Sequence, residues 1–265
     1  MLRPTQLAPF SPLLATELLA GLEPYEDDHL ATLPYVPAHK RAGCLAIIAI
    51  SAELAALPGR VSDPMLGAIR LQWWREVVEE LRSQANPRRH PLVDAFKVLS
   101  IPPQARFWKT VSMMIDETSI FLEPVSVMDG PSMLAAAMVH EGARARLLAD
   151  WLAPEMHAER TDGLAKLAGL YAFARARRWA DGAGGPPPEG VEGPAHRLAR
   201  AWAQDSQLAQ GLPLASTLWS QGTPWPPALA PVVAPYKWTG SMLTGTQPSA
   251  LHKQLSLFLT VMRGR

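Results

Sequence analysis

Few residues in this chain of 265 have both the type and the spacing that chemistry requires. His140-Glu141-Gly-Ala-Arg144 opens like a zinc-protease helix, in which two imidazoles one turn apart share the metal and the glutamate activates water. Arg144 stands where the second imidazole is needed, so that motif fails. Asp116 and Glu117 are adjacent, and neighbours on a helix diverge by about 100°, so they cannot clamp one cation as carboxylates four apart can. Glu26-Asp27-Asp28 reads as acids set against the positive end of a helix dipole. Cys44 is the single cysteine, which excludes an internal disulfide, and no Cys/His spacing suggests zinc. Its setting, Arg41-Ala-Gly-Cys-Leu-Ala-Ile-Ile, predicts an inert buried thiol. No P-loop, Gly-x-Ser-x-Gly elbow or dinucleotide fingerprint occurs.

The elements that would position such groups are helices. Apolar residues recur at three and four, strand-like alternation is nearly missing, and prolines fall between the periodic segments. The pattern predicts an all-α chain with helices near 12–21, 26–33, 38–57, 64–84, 90–100, 103–122, 131–152, 162–181, 194–209, 228–243 and 248–263. Ser62-Asp63-Pro64 supplies a cap and a first-turn proline whose missing N–H costs nothing. On the helix that follows, Leu66, Ile69, Trp73 and Val77 form one apolar row and Trp74, Val78 and Leu81 the next. Arg75, Glu76, Glu79 and Arg82 lie opposite, so this reads as a central core helix. The segments 182–194 and 213–227 are rich in helix breakers. Neither flanks a change of composition, and no repeat is found, so residues 1–265 are expected to form one domain.

With 48% hydrophobic and 18% charged residues there is apolar material for a full core. A formal net charge of +1 gives no footprint for nucleic acid. Arg175, Arg177, Arg178, Arg197 and Arg200 read as a solvated helix face. The N-terminus lacks the apolar run of a signal peptide. The longest uncharged apolar run, Ala42 to Ala52, is short of the roughly 20 residues that cross a bilayer. The expectation is a cytoplasmic protein, soluble or peripheral to the inner membrane. For peripheral attachment the region Trp219–Trp238, with Trp225 and Tyr236, is the aromatic candidate; local core packing is the alternative.

Two stretches carry a family likeness. Pro37-Ala-His-Lys-Arg-Ala-Gly-Cys-Leu-Ala-Ile-Ile-Ala-Ile-Ser-Ala-Glu-Leu-Ala and Val61-Ser-Asp-Pro-Met-Leu-Gly-Ala-Ile-Arg-Leu-Gln-Trp-Trp-Arg75 resemble the squalene/phytoene synthases. The closing Pro248-Ser-Ala-Leu-His-Lys-Gln-Leu is similar to the branch that includes mitochondrial complex I assembly factors. The resemblance implies an isoprenoid-synthase-like helical bundle around a central cavity. Such enzymes hold a substrate diphosphate through Mg²⁺, a hard cation gripped by carboxylates one helical turn apart on two facing helices. The resemblance sets the first aspartate motif on Ala55, Ala56 and Gly59, and the second on Ala176 and Ala180. Both are missing, and Glu53 and Asp181 are the nearest acids. The small residues form stripes of their own, Ala52, Ala55, Ala56, Gly59 and Gly169, Ala172, Ala176, Ala180, which suit a close helix approach or an uncharged pocket.

The function expected from this resemblance is a non-catalytic binding or assembly scaffold, with no cofactor and with a protein partner among respiratory complex subunits. Two alternatives stand beside it. One is a prenyl or lipid transferase with unconventional ligands, Glu53 with Asp181 and basic help from Arg41, Arg70 or Arg175. The other is an isoprenoid- or lipid-binding module without chemistry. Arg41, Glu53, Arg70, Trp74 and Arg175 are the candidate cavity-lining or binding residues under any of the three.

Overall fold

The computed structural model describes residues 3–22, 27–83, 88–99, 101, 106–122, 130–180 and 225–239, together with 249, 253, 255, 256 and 258–260. No strand occurs among them, and the architecture is all-α as expected. In chain order the α-helices are α1 (Pro12–Ala20), α2 (Asp27–Leu30), α3 (Ala38–Arg60), α4 (Pro64–Arg82), α5 (Pro91–Leu99), α6 (Arg106–Thr118), α7 (Gly130–Ala137), α8 (Ala143–Leu152), α9 (Ala158–Ala180) and α10 (Ala230–Val233). Short 3-10 turns join several of them, notably Ser119–Phe121 after α6 and Ala234–Trp238 after α10.

Local chemistry sets the starts of α1 and α4. Ser11 caps α1 by accepting from Leu14 N at 3.2 Å, and Asp63 caps α4 by accepting from Met65 N at 2.8 Å. A proline fills the first turn of each helix, where no N–H is missed. α3 continues to Arg60 with Pro58 buried in its last turn, a few residues beyond the expected end.

α3 is apolar all round, and every residue from Ala42 to Ser51 is buried. Such a helix belongs in the middle of a protein or in a bilayer. Its 23 residues are long and apolar enough for a membrane, but 78% of its most apolar window is buried inside the protein. It packs on α1, α5, α6 and α8. The α3–α8 crossing is tight because Gly43 lacks a side chain: a Cβ there would lie 2.2 Å from the Trp151 ring. Trp151 Nε1 donates to the Lys40 carbonyl at 2.9 Å and Lys40 Nζ to the Trp151 carbonyl at 3.0 Å, which locks the two helices in register.

α4 departs from its expected orientation. Gly67, Leu71, Trp74, Val77 and Val78 face the core, whereas Leu66 and Ile69 face solvent. The N-terminal half of α4 is apolar on more than half its circumference, so periodicity offers two rows of nearly equal weight. Packing selects the row whose glycine admits a neighbour: a Cβ on Gly67 would meet Leu122. Trp74 is buried edge-on to Trp73 and His90, as core packing requires. Beneath α4, the rings of Phe96, Phe107 and Trp108 meet edge to face.

The helix expected over 131–152 is interrupted. Met138–Gly142 adopts a π turn between α7 and α8, a rare insertion that rotates the side chains after it. α8 and this π turn pack against both α3 and α9.

Candidate functional site

The first small-residue stripe lies on the last turns of α3, where Ala56 is buried and Ala55 and Gly59 are partly exposed. Glu53, on the same helix, is held by Arg60 at 2.7 Å. Ala176 and Ala180 ride on the last two turns of α9, but their side-chain surroundings, like Asp181, lie outside the described residues. α8 and the π turn bridge α3 and α9. At Gly169 the α9 stripe is filled rather than hollow: a Cβ there would lie 2.7 Å from Met138 Cγ. Methyl groups and hydrogens offer no oxygen to a hard cation, so the residues at the first motif do not fit the family's magnesium.

The other candidates are dispersed. Arg41 braces the turn before α3, donating from Nε to the Val36 carbonyl at 2.8 Å and from Nη2 to that of Pro34 at 2.7 Å. Arg70 is exposed on α4, and Trp74 is in the core. Of the charged candidates, Arg175 reaches furthest into the interior, 3.5 Å from Glu141 and over the Tyr171 ring. In the aromatic candidate region Tyr236 and Trp238 are buried in the core, and Trp225 is partly buried against it.

Arg175 leads to a buried charge cluster that the motif reading dismissed. The π turn aims Glu141 inward, where it is 3% exposed. His29 Nε2 donates to its Oε1 at 2.8 Å, and Arg144 reaches Oε2 at 3.2 Å. A second carboxylate lies close by. Asp28 accepts from Tyr171 Oη at 2.7 Å and from Lys253 Nζ at 2.8 Å. The rings of Tyr171 and Tyr236 close over His29 edge-on, and Lys253 Nζ sits over Trp238. α2, the π turn, α8, α9 and the C-terminal segment are thus tied together by charge.

The electrostatics are those of counter-ions. Burial alone would raise the Glu141 carboxyl, but Arg144 and then His29 hold it far below the usual carboxylate range. Burial opposes ionisation of Asp28 too, and Lys253 overcomes it. Burial, with Asp28 beside it, drives the Tyr171 hydroxyl well above its ordinary value. His140 is pushed down to about 3 by burial and by Arg144. The Thr118 hydroxyl donates to the Met114 carbonyl at 2.6 Å and so accepts from His140 Nε2 at 2.9 Å, which selects the Nε2–H tautomer. A carboxylate so strongly acidic is a poor proton acceptor near neutrality. The cluster therefore orders the interior, and among the described residues no His/Cys/Asp/Glu group is arranged to hold a metal ion. In sequence it left one signal: Glu141 and Arg144, three apart, in a helix otherwise apolar enough to be buried.

Comparison with known proteins bears on the third of the chain that holds α3 and α4. Residues 22–111 match the family model described as squalene/phytoene synthase. The likeness in that segment is to the squalene/phytoene synthases. "NADH dehydrogenase (ubiquinone) complex I, assembly factor 6" of Bos taurus is 27% identical over 82 residues, which cover 31% of this chain and 24% of that relative. The chain thus aligns with about a quarter of the relative's length. Family and branch are those to which the sequence was likened, and the fold is the all-α one the family implies. The first motif position, Ala55 to Gly59, falls inside the matched segment; Ala176 and Ala180 fall beyond it.

Proposed function

We propose that this protein is a non-catalytic squalene/phytoene synthase relative that acts by binding, as a scaffold in the assembly of a respiratory complex. The observation that carries this reading is the residue set at the first motif position. Within the segment matched to the family, Ala55, Ala56 and Gly59 stand where metal-binding carboxylates would be, and the neighbouring Glu53 is engaged by Arg60. Transition-state charge on a departing diphosphate needs such a cation, and among the described residues the transferase reading has no donor set to hold it. The filled surface around Gly169 supports a scaffold over a lipid tunnel. The kinship with an assembly factor supports subunits of a respiratory NADH dehydrogenase as the partner class, and the proposed site of action is the cytoplasm, peripheral to the inner membrane.

The test is deletion of the gene in its native organism, followed by native-gel analysis of the NADH dehydrogenase. The reading expects loss of the assembled complex and rescue by both the wild-type chain and Glu53→Ala. Normal assembly in the deletion strain would refute the role. Rescue by wild type but not by Glu53→Ala, with release of pyrophosphate from prenyl diphosphates, would favour the transferase.

A further inference from the structure

Charges along α4 divide into two groups. Arg75 pairs with Asp116, Glu76 and Glu80 with Arg88, and Glu79 with Arg82. Asp63 and Arg70 have no ion partner among the described residues, and Asp63 spends one oxygen on capping Met65 N. Between those two residues Met65, Leu66 and Ile69 are 70%, 50% and 60% exposed. One face of one helix therefore carries an apolar row with, among the described residues, an unmatched acid at one end and an unmatched base at the other.

A row flanked by a single sign would call for a partner of opposite charge. Opposite signs at its two ends are what a surface needs to pair with itself, since a two-fold axis brings each end against the other. We propose that two copies of this chain associate through the N-terminal half of α4, packed antiparallel about an axis between Leu66 and Gly67. That register sets Arg70 opposite Asp63 of the second copy, twice over. It also sets Met65 opposite Ala68 of the second copy, and both residues line a hollow of about 490 Å³ with Pro64, Ser119, Ile120 and Leu122. Ile120 is 53% exposed at that hollow and extends the apolar face. An anionic bilayer is a poorer match, because the exposed Asp63 stands at one end of the row. The association is independent of the assembly role and of its partner.

Sedimentation of the purified full-length chain over a wide concentration range tests this, with circular dichroism to confirm that each variant is folded. The expected result is a monomer–dimer equilibrium. Ile69→Glu, in the apolar row, raises the dissociation constant at least about thirtyfold. Arg70→Asp and Asp63→Lys each weaken the dimer about tenfold or more by setting like charges together. Mixing those two variants restores it, since every contact again joins opposite signs. A chain monomeric throughout, a dimer indifferent to Ile69→Glu, or a mixture no tighter than either variant alone would overturn the proposal.

Discussion

Glu141→Gln should be among the most damaging single substitutions in this protein. The side chain is nearly the same size, so the effect is electrostatic. Glu141 is 3% exposed and takes His29, Arg144 and Arg175 at 2.8, 3.2 and 3.5 Å. Neutralising it leaves the Arg144 guanidinium, itself 1% exposed, facing an amide. Removing one partner of a buried ion pair costs about 3–5 kcal/mol, against a total stability of about 5–15 kcal/mol. At about 2–4 °C per kcal/mol for a chain near this size, the melting temperature should fall by roughly 6–20 °C. The assay is thermal and urea unfolding followed by circular dichroism. Arg146→Ala is the control: its pair with Asp162, at 2.9 Å, is on the surface and should change stability by less than about 1 kcal/mol. The double variant Glu141→Met/Arg144→Met should be more stable than Glu141→Gln, because the most deeply buried guanidinium is removed together with its counter-ion. A Glu141→Gln chain that melts with the wild type would refute the counter-ion account.

Three further outcomes follow from the same geometry. His140 is neutral in the folded chain, at about 3 against an ordinary 6.5, so the unfolded state binds the extra proton first. Its contribution to stability is complete above pH 6.5 and is lost as pH falls toward 3, by at most about 1.4 kcal/mol per unit. Urea titrations at several pH values should show a shallower acid slope for His140→Gln, and an unchanged slope would contradict the assignment. Gly43→Ala drives a methyl into the Trp151 ring and should cost about 1–3 kcal/mol, with altered tryptophan emission. Gly163→Ala on α9 meets nothing within 4 Å and should instead stabilise by roughly 0.5–1 kcal/mol; equal unfolding midpoints for the two would show that the packing argument fails.

How much of this was legible in the sequence depends on which physical term decided each feature. The uninterrupted apolar run of α3 and the capped start of α4 are local properties, and the structure bears both out. The orientation of α4 is not local. Leu66 and Ile69 match the helical period as well as Leu71 and Trp74 do, and only the room left by Gly67 for Leu122 separates them. The π turn was equally hidden, because 131–152 reads as one helix unless Glu141 is known to be buried. The charge cluster joins residues more than 100 positions apart, as with His29 and Glu141, a relation no spacing rule contains. A motif test that asked only whether His140, Glu141 and Arg144 could hold zinc discarded the residues that organise the interior.

The central claim is that the helix surfaces expected to grip a divalent cation are lined by small apolar side chains. Its most direct test is calorimetric titration of the full-length protein with a non-hydrolysable prenyl diphosphate analogue, with and without Mg²⁺. The account predicts no magnesium-dependent heat. Saturable binding that requires Mg²⁺ and disappears in Glu53→Ala would contradict it.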